Sequence, residues 1–178
     1  MTKTSHDSET PAHGQQVMSA CAFLHHNFNG VEKVFLPKRA DSKKFLPGVY
    51  ELPGGHIDYG EELIEGLKRE IMEELEMEVS IGDPFAVFTY LNEVKGSHTI
   101  EVVYFGTFVG SIDSIKIHPE DHSGYAWMSR EEVVANRGEI SVAPNSQIDY
   151  NQEDDPEYLN ILKGFDLLEN SKINFGQK

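Results

Sequence analysis

The chain has one cysteine, Cys21, and one tryptophan, Trp127, in 178 residues. A lone cysteine excludes an intramolecular disulfide framework and fits a reducing compartment. Basic residues are also scarce: 15 Lys and Arg stand against 30 Asp and Glu, a formal charge of −15 with a pI near 4.8. Such a chain lacks the basic face that a nucleic acid polymer or an anionic membrane surface requires, so neither is expected as a partner. No apolar run approaches the ~20 residues of a membrane span. The opening MTKTSHDSETPAHGQQ has no apolar core, so no secretory signal is expected and the cytoplasm is the expected location.

What is present is enough for one globular domain. A chain of this length buries roughly 70% of the surface its unfolded form exposes, so it needs no disulfide or metal to fold. Residues 1–16 carry no branched aliphatic or aromatic side chain and are expected to be a disordered lead, followed by a domain over 17–171 and a short tail over 172–178. VMSACAFL (17–24) is apolar on both alternating faces, as a strand covered on both sides is. Asn29-Gly30 supplies the positive-φ pair of a tight hairpin, and VEKVFLPKR (31–39) returns as its second strand. A short VYEL strand is expected between Pro47-Gly48 and Pro53-Gly54-Gly55. Leu63, Leu67, Ile71 and Leu75 then recur every four residues on one helical face, joined by Ile64. Strands are expected at 84–92, 99–109 and 124–128. Ser129 and Glu132 form a capping-box signature for a helix to about Ala135, and Asp155-Pro156 opens a last helix to about Asn170. A sheet with flanking helices, mixed in strand direction, predicts an α/β sandwich.

The helical segment EELIEGLKREIMEELE (61–76) holds seven acids and two bases. Glu61, Glu62 and Glu65 lie at the positive end of the helix dipole and need no special explanation. Glu70, Glu73, Glu74 and Glu76 lie at the negative end, where each carboxylate costs roughly 0.3–1 kcal/mol. Glu70 also repels Glu73 and Glu74 from i,i+3 and i,i+4, which places the three on one face. Summed, the arrangement costs about 1–3 kcal/mol unless a cation is held there. Carboxylate oxygens at this density suit Mg2+ or Mn2+, whereas the absence of Cys or a helical His pair argues against zinc.

Residues 55–77, GHIDYGEELIEGLKREIMEELEM, resemble the Nudix box G-x5-E-x7-R-E-U-x-E-E-x-G-U, with U a bulky aliphatic. Gly55, Glu61, Arg69-Glu70-Ile71, Glu73-Glu74 and Met77 fill its positions, and Glu51-Leu52-Pro53-Gly54-Gly55 is similar to the usual lead-in. Glu76 departs from it, standing where the family has a glycine that takes a left-handed cap, so the helix is expected to end differently here. Gly66, a weak helix former, is read as a mark of close packing against the sheet.

The resemblance implies a Nudix-type α/β/α sandwich with a mixed central sheet. It also implies hydrolysis of a nucleoside diphosphate linked to another moiety, a nucleoside triphosphate, ADP-ribose or a sugar nucleotide. It implies Mg2+, with Mn2+ as a substitute, held by Glu70, Glu73 and Glu74 with the Gly54 carbonyl as a further ligand. Glu70 or Glu74 would position or deprotonate the water, and Arg69 would orient the glutamates. Many members pair, so a homodimer is a further expectation. A carboxylate outside the box serves as base or ligand in several members; Glu120 in the HPEDH loop is the first candidate and Glu101 the second. Lys38 and Arg39 are candidates for binding the substrate phosphates, and Tyr90 and Trp127 for stacking a base. His118 and His122 are spaced as zinc ligands on a helix would be, but Pro119 between them opposes that helix. The acidic stretch around Glu153–Glu157 is read as a solvated loop. An isopentenyl diphosphate isomerase is the weaker reading, because Cys21 lies in an apolar run. A non-catalytic nucleotide-sensing or partner-binding Nudix module is the alternative from another class. Specificity is expected from loops 40–48, 90–98 and 110–124.

Overall fold

The structure, a computed structural model, describes residues 10–140 and 155–175, with side chains of the last helix to Ser171. The elements run β1 (Gln16–Phe28), β2 (Val31–Arg39), β3 (Gly54–His56), α1 (Leu63–Leu75), β4 (Val79–Asn92), β5 (Ser97–Phe108), β6 (His122–Met128), α2 (Arg130–Ala135) and α3 (Pro156–Phe175). Asn29 and Gly30 take φ of 53° and 97° and close the β1–β2 hairpin as the sequence requires. The six strands form one sheet in the order β4-β5-β1-β2-β6, with β3 paired to β1 over Ser19–Cys21, ahead of the stretch that pairs with β2. β1 runs parallel to β5 and antiparallel to β2 and β3, so the sheet is mixed.

Alternation along β1 explains the layers. Ala20, Ala22 and Leu24 turn to α1 and pack with Leu67, Ile71 and Leu75. Cys21 and Phe23 turn to the other face, among Val34, Leu36, Val103, Ile161 and Phe165. The small alanines let α1 approach closely. Across the sheet, Gly164 of α3 sits where a Cβ would lie 2.7 Å from the Phe23 ring. The result is a three-layer α/β/α sandwich, with α1 on one face and α2 and α3 on the other. Among the described residues no helix is long and apolar enough to cross a membrane.

Several sequence expectations need correction. The short strand is Gly54–His56, not VYEL; of that segment only Tyr50 bridges, to Lys38 and Ile140. β4 starts at Val79, and β4 and β5 reduce the expected 90–98 loop to a turn over 93–96. Residues 1–9 of the lead lie outside the described residues. Its end at 10–15 is held: Ala12 is buried, and its N–H and that of Gly14 bond the carbonyls of Lys95 and Gly96. Small residues can dock on a turn without a large apolar side chain. Of the acidic stretch, 153–154 lie outside the described residues. Asp155 is buried and caps α3 through the Tyr158 N–H at 2.8 Å, and the Glu157 carboxylate accepts the Leu52 N–H.

Candidate active site

The lead-in to α1 is a close crossing of backbones. Gly54 has φ of 149°, and a Cβ there would strike the Ala20 carbonyl and lie 2.7 Å from the Cys21 Cα. Glycine is required for β3 to lie against β1. At Gly55 a Cβ would instead lie 2.6 Å from Glu70 Oε2, so the missing side chain makes room for that carboxylate.

After β3 the chain turns back through Asp58, whose N–H bonds Glu61 Oε2 at 3.1 Å. α1 therefore begins at Leu63 and not at Glu61. The Glu61 carboxylate lies over Gly66, where a Cβ would come within 2.7 Å of it and of Ile57 Cδ1. Gly66 thus accommodates the preceding loop, not the sheet. From there Glu61 takes the Arg69 fork, with Nε to Oε1 and Nη2 to Oε2 both at 2.9 Å. Arg69 Nη1 donates to Glu70 Oε1 at 2.8 Å and lies 3.5 Å from Glu73 Oε2, while Nη2 also reaches the His56 carbonyl at 3.1 Å. One guanidinium therefore orders three box carboxylates, and its hydrogen bonds hold Glu61 below the usual carboxylate range.

The far end of α1 is built differently. The half-buried Glu74 carboxyl is pushed well above its ordinary range, first by loss of water and then by Glu51, Glu70 and Asp121; Arg39 opposes them. Burial also raises Glu70, against the pull of Arg69. Glu51 is the opposite case: burial pushes it up, but Arg39 and His122 outweigh burial and hold it low. Arg39 Nη1 meets its two oxygens at 2.9 and 3.2 Å, and His122 Nε2 lies 3.5 Å from Oε1. Contrary to the expectation from the sequence, the helix ends as the family pattern does. Glu76 itself takes the left-handed cap at φ 51°, ψ 34°, and its N–H bonds the Met72 carbonyl. The Lys116 N–H bonds the Leu75 carbonyl at 3.0 Å, and the His118 N–H bonds that of Glu74 at 2.8 Å. Those contacts help hold the strained cap, and Lys116 Nζ pairs with Glu76 Oε2 at 2.7 Å.

Glu70, Glu73, Glu74 and Arg69 thus share one helix face, with Gly55 beside Glu70. Glu120 is exposed, whereas Asp121 next to it bears on Glu74. Asp121 and Glu51 were missed as site residues. Glu51 stood in the lead-in with only its position as a signal, and Asp121 was hidden among the acids of its loop. Glu101 faces Cys21 and Tyr90, away from α1, and burial raises its carboxyl to about 7. Lys38 and Arg39 do not act as a pair, since neighbouring strand residues face opposite ways. Lys38 lies over the Tyr50 ring and 3.7 Å from Glu139, whereas Arg39 turns to Glu51. Tyr90 stacks on Phe45 at 6.0 Å and 15°. Trp127 is packed edge-on among Phe28, Phe35 and Phe108, on the α1 side of the sheet. His118 and His122 face different carboxylates, Asp121 and Glu51.

The donor set fits a hard cation. It consists of carboxylate oxygens, the buried end carries more negative groups than Arg39 balances, and the absent Cβ of Gly55 leaves Glu70 room to turn. As placed, no three His, Cys, Asp or Glu side chains among the described residues surround one point closely enough to ligate an ion. Glu70 and Glu73 are instead turned to Arg69.

Comparison with known proteins bears on the family and the fold. The family model for the NUDIX domain matches residues 18–146. The chain is 33% identical over 109 residues to the nucleoside triphosphatase NudI of Escherichia coli O17:K52:H18 (strain UMN026 / ExPEC), covering 56% of this chain and 74% of that protein. The crystal structure of a MutT protein from Methanosarcina mazei Go1 superposes with a TM-score of 0.62 at 23% identity, over 90% of this chain and 97% of that one. A C. elegans Ap4A hydrolase in a binary complex gives 0.63 at 19% identity, over 87% and 98%. At these identities the two structures speak to the fold alone.

Proposed function

The chain belongs to the Nudix family and is a hydrolase of phosphoanhydride bonds, and from that premise we propose that it cleaves a nucleoside diphosphate linked to another moiety, with Mg2+, or Mn2+ in its place, at the acidic end of α1. Nucleoside triphosphates are the first class, supported by the NudI relative; ADP-ribose and sugar nucleotides follow. The observation that carries the reading is the half-buried Glu74 carboxyl, beside Glu51, Glu70 and Asp121 with too little positive charge to offset them.

Glu70, Glu73 and Glu74 would hold the cation, with the Gly54 carbonyl as a further oxygen. When bound, it supplies positive charge to the phosphate oxygens and lowers the pKa of water. The chain's own residues do the rest. Glu70 or Glu74 orients the attacking water and accepts its proton. Arg69 touches no substrate in this reading and holds Glu61, Glu70 and Glu73 in place. Arg39 meets the anionic chain, with Lys38 contributing charge at the rim. The protein is read as cytoplasmic; a homodimer is checked by sedimentation.

The purified protein with Mg2+, given nucleoside triphosphates, ADP-ribose, sugar nucleotides and dinucleoside polyphosphates, should release a mononucleotide from at least one. Glu70→Gln or Glu74→Gln should abolish most of that turnover while leaving the fold intact. A folded protein inactive on the whole panel would instead mark a nucleotide-binding module.

A further inference from the structure

The 40–48 loop leaves the sheet after Arg39 and returns at Val49. Its neck is closed by the Arg39 N–H to the Val49 carbonyl at 2.9 Å and the Gly48 N–H to the Arg39 carbonyl at 3.2 Å. Inside the loop, the Phe45 carbonyl accepts Arg39 Nε at 3.0 Å, so the loop's shape sets where the guanidinium points. Leu46 and Gly48 both have positive φ, which keeps the turn tight.

Beyond the neck, Phe45 stacks on Tyr90, and hydrogen bonds tie the loop to Asp121 of another segment. The Asp121 carbonyl accepts the Ala40 N–H at 2.9 Å, and Asp121 Oδ1 accepts Lys43 Nζ at 2.7 Å. Its Oδ2 lies 3.1 Å from His118 Nδ1, and the His118 N–H sits on the Glu74 carbonyl. Lys43 and Asp121 are only 17% and 32% exposed, so the pair is shielded more than a surface bridge is. A continuous set of contacts therefore runs from Arg39 through the loop, Lys43, Asp121 and His118 to the end of α1.

We propose that Asp121 is a positioning residue, holding the 40–48 loop through Lys43 and thereby fixing Arg39 relative to Glu74. The inference rests on the reading of Arg39 as a phosphate-binding residue. A guanidinium binds phosphate through a planar fork, so its direction matters as much as its charge. Asp121 touches neither the water nor the phosphorus in this scheme. Loss of the tether weakens the hold on the polyphosphate, and Lys43, which is not among the groups around Glu74, reports that loss without altering the acidic site.

The test uses Asp121→Asn, Lys43→Met and the double variant, assayed on the best nucleotide of the panel with Mg2+. Each single change should raise KM about five- to tenfold, and Lys43→Met, which leaves the charges around Glu74 in place, should alter kcat less than about twofold. The double variant should be no worse than either single one, because both cut the same tether. Asp121→Glu, which keeps the charge, should recover part of the loss. Amide exchange over 40–48 should quicken in both single variants even without nucleotide. Effects on KM that multiply in the double variant, or a fall in kcat at constant KM in Lys43→Met, would overturn the proposal. A wild-type protein without turnover counts against the hydrolase reading instead. In that case the same variants are compared by their calorimetric Kd for a methylene-bridged ATP analogue, and equal affinities sink the inference.

Discussion

Arg69 and Glu61 meet in a two-pronged ion pair across the junction between the 57–62 turn and α1, both contacts at 2.9 Å. The pair is what lets a helix with so many acids start cleanly, because the same guanidinium also reaches Glu70 and Glu73. Arg69→Lys keeps the charge but cannot span two carboxylates. It should cost about 1–2 kcal/mol in urea unfolding and lower kcat more than about tenfold.

Glu74→Gln separates folding from activity. The native carboxyl is raised by burial and by its acidic neighbours, so in EDTA above neutral pH the variant should melt at or above the wild-type temperature. Turnover with Mg2+ should nevertheless fall by at least about 100-fold. Calorimetry in EDTA and a Mg2+ assay check the two halves.

The two adjacent glycines should respond in opposite ways. Gly54→Ala drives a Cβ into backbone of β1 at a φ reserved for glycine, and should destabilise the fold by several kcal/mol, about what severe backbone strain costs. Gly55→Ala meets first the Glu70 side chain, which can move aside. It should fold, displace that carboxylate and lose activity. Solubility and circular dichroism read the first outcome, and kinetics the second.

Glu76→Gly restores glycine to a left-handed position. Relief of the strain is worth about 1 kcal/mol, and the exposed bridge to Lys116 offsets little of it. Tm should rise about 2–4 °C, with kcat and KM unchanged.

Glu101 gives stability a pH dependence. Its carboxyl is raised to about 7 by burial, with Glu51 adding to the rise and Cys21, Tyr90 and Arg39 opposing it. A raised acid contributes fully below its unfolded pKa and loses that contribution as pH climbs through the folded one. Tm should therefore fall from pH 5 to 8, and Glu101→Gln should flatten that fall. Glu157, raised in the same direction, leaves a residual slope.

Much of the fold was legible because it is written in local periodicity. The two-sided apolar run of β1, the Asn29-Gly30 turn and the Ser129–Glu132 box each needed only near neighbours. The glutamate row on α1 was legible for the same reason: helical spacing alone brings Glu70, Glu73 and Glu74 together. Contacts between distant segments were not. Glu51 with His122, and Asp121 with Lys43, join parts of the chain more than 70 residues apart, and no local pattern announces them. Glu76 misled because propensity at a helix end is overridden when another segment supplies the hydrogen bonds.

The amides of Lys116 and His118 that bond the last carbonyls of α1 divide the β5–β6 connection into two parts with unequal freedom to drift. Residues 110–114 form an exposed end, and Gly110 has no atom within 4 Å of where its Cβ would be. Insertions there would lengthen a surface excursion. From Lys116 to His122 nearly every second residue is bound to another segment, so adding one residue would shift those partners by one place. Length variation over the history of such a chain belongs in the first stretch, with the second kept to a fixed count.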